Sequence, residues 1–335
     1  MEEQSLSAGE SRAAVQVDSV PAATSRGGKR RLRSIIAFAL QVLVVGYMIH
    51  VLWKQRAEIS HAFDLSILAL VALTVLMFVT HVQRTYEFTF MLRRLGVHEP
   101  FGDGFLLTGA GFLLNQLPFN AGLVMRAAVL KRDHALPYTS YLALVLVNAV
   151  VNVSVAALLG LVAIWIEPLG LRTQLALTAL FGAILLGGAF VTFLPKSLIP
   201  QGNNFVFRQL RILSEGLTML RGGSSLALLF GLAMLKVVVS GGRMWICFDA
   251  LNEALPPLAA ALLASITVLF TLFNITPGNL GLRELALAGL STHLATTYSV
   301  GMAAATIDRV VYFLYTLVIG LPGLYHLRKR GPFKG

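Results

Sequence analysis

Long apolar runs without charge recur along the chain. They occupy residues 34–53, 65–83, 104–125, 135–166, 173–195, 254–282, 285–307 and 310–327. A shorter one, 222–235, continues past Lys236 to 242. A helix needs about 20 apolar residues to cross the hydrocarbon of a bilayer, and these runs have that length. A soluble all-α core does not produce them. The pattern predicts an all-α integral membrane protein.

Lysine and arginine clusters orient the segments, because short basic loops stay on the cytoplasmic side. Lys29, Arg30, Arg31 and Arg33 precede a first span over 35–53. That run is too long for the apolar part of a signal peptide, and no small-residue cleavage site closes it. A second span over 66–90 returns to Arg93 and Arg94. The stretch from 101 to 118 has basic flanks on both sides, the later one at Lys131 and Arg132, so a re-entrant hairpin is expected there. Spans over 138–166 and 173–194 follow. The next link, with Arg208 and Arg211, carries apolar residues at helical spacing from Phe205 to Leu220. It reads equally as an interfacial amphipathic helix or as a packed connector. A span over 225–247 leads to a stretch, 255–298, that is broken at Pro277-Gly278; it reads as a second hairpin entering from the opposite face. The last span, 302–327, ends at Arg328, Lys329 and Arg330. The expected architecture is therefore about six full spans plus two re-entrant or broken helical hairpins. Residues 1–34 form a basic, disordered cytoplasmic tail, 35–328 the membrane domain, and 329–335 a short basic tail, with both termini cytoplasmic in a bacterial inner membrane.

The segments repeat. At an offset of 159 residues, Arg84-Thr85-Tyr86 falls on Arg243-Met244-Trp245. Thirty-one residues after each arginine stands an asparagine that opens N-x-x-P-x-N-x-G: Asn115, Pro118, Asn120, Gly122, and then Asn274, Pro277, Asn279, Gly281. Half-repeats over about 35–170 and 171–328 would each hold three spans and one hairpin. Three is odd, so the second half is inverted relative to the first. Inverted repeats with Gly/Pro-interrupted segments at matching positions are a transporter signature. Proline ends the helical ladder, glycine allows the turn, and the freed backbone groups need protein or water because lipid offers neither donor nor acceptor. The hairpin breaks expected are Pro118, Gly122, Pro277, Gly278 and Gly281.

Composition adds two constraints. Charged residues are 13% of the chain and the net charge is +11. The basic residues sit in loops between apolar runs, with no basic face, zinc spacing or stacking motif, so nucleic acid is not an expected partner. Cys247 is the only cysteine, which excludes an intrachain disulfide. No nucleophile elbow, phosphate loop or metal-ligand spacing of histidines is present, so no catalytic residue, metal or cofactor is expected.

Ionisable groups inside apolar runs mark functional candidates by default. Arg126 follows Pro118 by eight residues, Arg283 and Glu284 follow Pro277, and Asp308 and Arg309 open the last span. Arginine binds phosphate bidentately, and the hairpin helices after the two prolines would point positive N-termini at a cavity. The candidate headgroup-binding set is Arg126, Arg283, Glu284, Asp308, Arg309, Asn115, Asn120, Asn274 and Asn279. The competing reading makes Glu284 part of an internal ion pair, and lets Arg84 and Lys236 snorkel to the interface.

At these residues a family resemblance becomes specific. The stretch from Leu117 to Ala127, with Pro118, Gly122 and Arg126, resembles the P-x-x-x-G-x-x-x-R element of the lysylphosphatidylglycerol synthase transmembrane-region family, also called the flippase-like domain family. Pro277, Gly281, Arg283 and Glu284 resemble its P-x-x-x-G-x-R-E element, and Arg309 its late buried arginine. The first element differs in placing Phe-Asn-Ala where glycine is usual. The resemblance spans about 35–328. It implies a polytopic domain that moves lipids between leaflets. It also implies a stand-alone form, with no room after the last span for the aminoacyl-transfer domain of bifunctional members. The expected function is a lipid flippase or transporter acting on lipids with anionic headgroups. The alternatives are a non-transporting subunit or enzyme of a lipid-modification or glycolipid-assembly pathway, and a scaffold. A separate lipid-synthesis enzyme is the partner this implies, and a homo-oligomer is left open.

Overall fold

A computed structural model describes residues 66–116, 120–193, 211, 212, 214, 216, 223–270, 281–294 and 296–330. The first expected span, most of the 205–220 segment, and Pro118, Asn274, Pro277, Gly278 and Asn279 lie outside the described residues. Nine helices make up the described fold: α1 (Ile67–Arg94), α2 (Phe101–Leu114), α3 (Ala121–His134), α4 (Tyr138–Ile166), α5 (Leu171–Phe193), α6 (Gly223–Asp249), α7 (Pro257–Phe270), α8 (Leu282–Ser291) and α9 (Tyr298–Lys329).

Five of these, α1, α4, α5, α6 and α9, are long and apolar enough to cross a membrane. Their outward faces carry bare Ile67, Val71, Leu186, Phe190 and Val318. Such faces are unfavourable in water and are what hydrocarbon solvates. The molecule is a multi-pass membrane protein. Side-chain hydroxyls inside it turn back on their own helices: Thr80, Ser265, Thr267 and Thr306 each donate to the carbonyl four residues earlier. Ser66 caps α1 by accepting from the Ala69 N–H, and Thr297 caps α9 by accepting from Val300.

Neither pair α2–α3 nor α7–α8 contains a spanning helix. At 1.5 Å per residue, the 14-residue α2 and α3 are about 21 Å long, short of the ~30 Å hydrocarbon core. Both ends of the first hairpin lie at one end of the bundle. Glu99 before α2 meets His134 at the end of α3 at 2.6 Å, and Asp103 and Asp133 both pair with Arg330. The second hairpin is based at the other end. His293 after α8 meets Thr173 at the start of α5 at 3.5 Å, and Ser291 packs on Gly301 early in α9.

The repeat is physical. The 159-residue offset carries α1 onto α6, α2 onto α7, α3 onto α8 and α4 onto α9. The packing obeys the same exchange: α2 lies on α9 as α7 lies on α4, α1 on α2 as α6 on α7, and α3 on α4 as α8 on α9. The equivalent helices α1 and α6 pack on one another and run antiparallel. Leu76 meets Gly242, whereas Gln83, two turns later in α1, donates to the carbonyl of Leu232, earlier in α6. A two-fold operation that exchanges antiparallel neighbours reverses the helix direction, so its axis lies across the helices, in the membrane plane. The halves are inverted copies. Helix α5 stands outside the pattern, packed on α4.

The hairpins lock by close approach. Side chains at Gly109, Gly320 and Gly323 would collide across the α2–α9 contact, which runs antiparallel from Leu113 beside Gly320 to Leu106 beside Gly323. At Gly122 a Cβ would drive into the carbonyl of Gly111 and lie 2.6 Å from Asn115 Oδ1, so the start of α3 passes α2 where no side chain fits. Asn120, just before it, takes the left-handed conformation at φ 51°, a region asparagine tolerates. The two copies use their matched glycines differently: Gly281 opens α8 at φ 85° and gives its N–H to Glu284 Oε2 at 2.7 Å.

Candidate functional site

The ionisable residues picked out by sequence fall into two groups around the tips of the hairpins. Near the first third of α9, Asp308 is fully buried and held from two directions. Arg243 of α6 donates through Nε at 2.9 Å and through Nη2 at 3.3 Å, and Arg283 of α8 donates at 2.5 Å. This triad ties α6, α8 and α9 together. Both carboxylate oxygens of Asp308 are engaged, and the buried carboxylate offsets the charge of two guanidiniums.

Arg309, the next residue, points elsewhere. Its Nη2 donates to Gln116 Oε1 at 3.1 Å, at the tip of the first hairpin. It also lies within electrostatic reach of Glu284 and Arg283 at the start of α8. One arginine of α9 thus reaches both broken segments. Glu284 is fully buried; one oxygen caps Gly281, and Oε1 has no hydrogen-bond partner among the described residues.

Arg126 sits lower on the first hairpin. Its stem lies against Gly111, its Nε donates to the Gly122 carbonyl at 3.4 Å, and its guanidinium is 5.8 Å from the Phe88 ring centre. Gly111 in the last turn of α2 and Gln116 just beyond it belong to one stretch at the end of that helix, so Arg126 and Arg309 bracket it from two sides. Asn115 occupies that stretch as well, with a buried Oδ1 that has no hydrogen-bond partner among the described residues. The structure therefore gathers Asn115, Arg309, Arg283, Glu284 and Asp308 around the tips, with Arg126 below and Asn120 at the head of α3.

Sequence reasoning passed over Gln116, and used Arg243 only to find the repeat; its position beside an acid one helix away leaves no local signal. It also misjudged Lys236. Lys236 does not snorkel: it is 5% exposed and donates at 2.9 Å to Asn152 of α4. His81 is a packed residue, buried against Phe105 and Phe112 with Nε2 2.9 Å from the Phe105 carbonyl oxygen. No group of His, Cys, Asp and Glu side chains suited to a metal ion occurs among the described residues.

At the end of the bundle that carries Arg330, a second ionic cluster closes the base of the first hairpin. Arg330 meets Glu99, Asp103 and Asp133; His134 meets Glu99, and His326 lies 3.0 Å from Asp103. The hydrogen bond from Arg132 holds the Asp133 carboxyl below its ordinary range, against the opposing effect of burial.

Comparison with known proteins agrees with this architecture. A UPF0104 membrane protein of Methanothermobacter thermautotrophicus is 33% identical over 79 residues, which is 24% of this chain and 22% of that protein. The match thus spans under a quarter of either sequence. The pattern of the family described as the lysylphosphatidylglycerol synthase TM region fits residues 34–320, nearly the whole chain and all nine helices up to the last turns of α9. The chain belongs to that family.

Proposed function

We propose that this protein moves a polar lipid with an anionic headgroup between the leaflets of a bacterial inner membrane, the end bearing Arg330 facing the cytoplasm. The observation that carries the reading is the meeting of two discontinuous hairpins, one from each inverted half, at an arginine of a spanning helix. Inverted halves that rock against each other around a fixed polar point are how many transporters give alternating access. Arg309 offers a planar donor set for phosphate at that point, and Arg126 supplies a second cation below it. Glu284 and the Asn115 amide supply polar groups of opposite character. Asp308 and Arg283 hold the helices that carry these residues. No catalytic step is assigned to any of them, and a separate lipid-synthesising enzyme is the natural source of the cargo.

The test is lipid translocation in proteoliposomes with labelled anionic phospholipids. Movement should exceed that of empty liposomes and fall at least about tenfold in Arg309→Ala and Arg126→Ala. That is the effect of losing one charge-assisted contact of about 1.5–3 kcal/mol. Full activity in both folded variants would sink the assignment. If the wild type moves no lipid offered, the protein serves a partner enzyme instead, and a stable complex with one should co-purify.

A further inference from the structure

A third polar cluster lies away from the hairpin tips, where α1, α4 and α6 meet. Glu87 of α1 is 1% exposed, Asn152 of α4 is 4% exposed and Lys236 of α6 is 5% exposed. Acid and amine do not bond to each other; the amide stands between them. Lys236 donates to Asn152 Oδ1 at 2.9 Å, and Asn152 Nδ2 donates to Glu87 Oε1 at 3.2 Å and to Asn148 Oδ1 at 2.6 Å. The other Glu87 oxygen, Oε2, is buried with no hydrogen-bond partner among the described residues. Each formal charge thus rests on a neutral amide contact in a buried position, a costly arrangement for an ammonium and a carboxylate together.

The surroundings tilt the balance further. Arg84, one turn before Glu87 on α1, adds a second cation. Arg243, seven residues on along α6, is already matched to Asp308 of α9. The described residues of α4 and α7, which also pack on α6, present no titratable side chain except Tyr138 and Tyr141 at the far start of α4, while α9, the remaining neighbour, carries Asp308, Arg309, Tyr312 and Tyr315, of which Asp308 is matched to Arg243. With every group ionised, the cluster holds two cations and one anion. Loss of one proton from the Lys236 ammonium to water leaves a neutral amine and a balanced Arg84–Glu87 pair; gain of that proton reverses the step.

We propose that Glu87, Asn152 and Lys236 form an internal proton-exchange site. The cluster straddles the two inverted halves: Glu87 and Asn152 come from the first, Lys236 from the second. Any movement of one half against the other changes the separation of Lys236 from Asn152 and admits or expels water at the ammonium. Proton loading and helix movement are therefore linked by geometry. Use of that link to drive lipid movement rests on the function proposed above; the proton exchange itself does not.

The direct test is carbon-13 NMR of the intact protein in detergent with lysine labelled at the ε-carbon, the Lys236 signal being assigned by its loss in Lys236→Arg. That signal should titrate in a transition separate from those of the loop-side lysines, Lys131 and Lys329. Glu87→Gln should move the Lys236 titration down by about one unit or more, since the nearest anion is gone. A Lys236 signal that follows the loop lysines in wild type and is indifferent to Glu87→Gln overturns the site. In proteoliposomes that do move lipid, an imposed pH gradient should change the rate in wild type and not in Lys236→Met. Equal rates with and without the gradient overturn the coupling and leave the NMR result to decide the site.

Discussion

Arg84 and Arg243 occupy the same place in the two halves, on antiparallel α1 and α6. Their surroundings differ completely. Arg243 finds Asp308 one helix away, and Asp308 in turn is shared with Arg283. At the matching positions in the first half stand Ala149 and Val124. Among the described residues Arg84 pairs with no such carboxylate and its buried Nε has no hydrogen-bond partner, and polar neighbours nearby are Glu87 and Lys236. The backbone kept its two-fold symmetry while the side chains abandoned it. One half has turned its arginine into a strut; the other has built an acid, an amide and an amine that are not fully matched.

The strut should be the harder to lose. Asp308→Ala leaves two guanidiniums buried without their anion, and is expected to cost about 3–5 kcal/mol. Thermal unfolding in detergent measures this, and a loss below about 1 kcal/mol would show that the triad is wet. Next comes the turn that both halves share in outline. Gly122→Ala pushes a Cβ into the Gly111 carbonyl, at an expected cost of about 1–3 kcal/mol. The same change at Gly281 should act through its positive φ instead, and should cost about 1 kcal/mol or more. The unmatched cluster should behave differently from the strut: Lys236→Met removes a buried charge with little change in volume, and is expected to be neutral or stabilising. A loss as large as that of Asp308→Ala would erase the contrast between the halves.

A small loss belongs to the ionic cluster at Arg330. The Asp133 carboxyl lies below its ordinary range because of the hydrogen bond from Arg132. Its contribution is complete above the unfolded carboxylate value near 3.9 and is lost as pH falls through the lower folded value. The group is largely exposed, so Asp133→Asn should cost under about 1 kcal/mol at pH 7. The difference from wild type should fade as unfolding midpoints are followed below pH 4.

Much of the architecture was legible in the order of residues, because lipid imposes a length rule and a charge rule that act locally. The span expected over 138–166 coincides with α4, and those expected over 66–90, 173–194, 225–247 and 302–327 differ from α1, α5, α6 and α9 only at their ends. The first hairpin was legible from basic residues on both of its flanks, the second from the Pro277-Gly278 break in the stretch 255–298. Helix pairings were not, since nothing in the sequence near Arg243 says that Asp308 is its neighbour. For the same reason Asp308 read as a group that balances charge, meets a cationic part of a headgroup or carries a proton, without its arginine partners Arg243 and Arg283 being named. Lys236 read as a residue able to reach the interface, because a sequence does not show that α1 and α4 close over it. Glu87 and Asn152 carried a signal that went unused: each is a polar residue within a run that otherwise avoids them.

The exchange of partners between halves also sets a schedule for biosynthesis. Helix α2 is made well before α9, yet its face from Leu106 to Leu113 packs on Gly320 and Gly323 near the end of α9. Until α9 has been made, the face of α2 from Leu106 to Leu113 lacks the partner that it has in the folded protein. Helix α7, by contrast, emerges after its partner α4 is already in the bilayer. Both hairpins nonetheless depend on α9, α2 seating on it directly and α8 packing on it as α3 packs on α4.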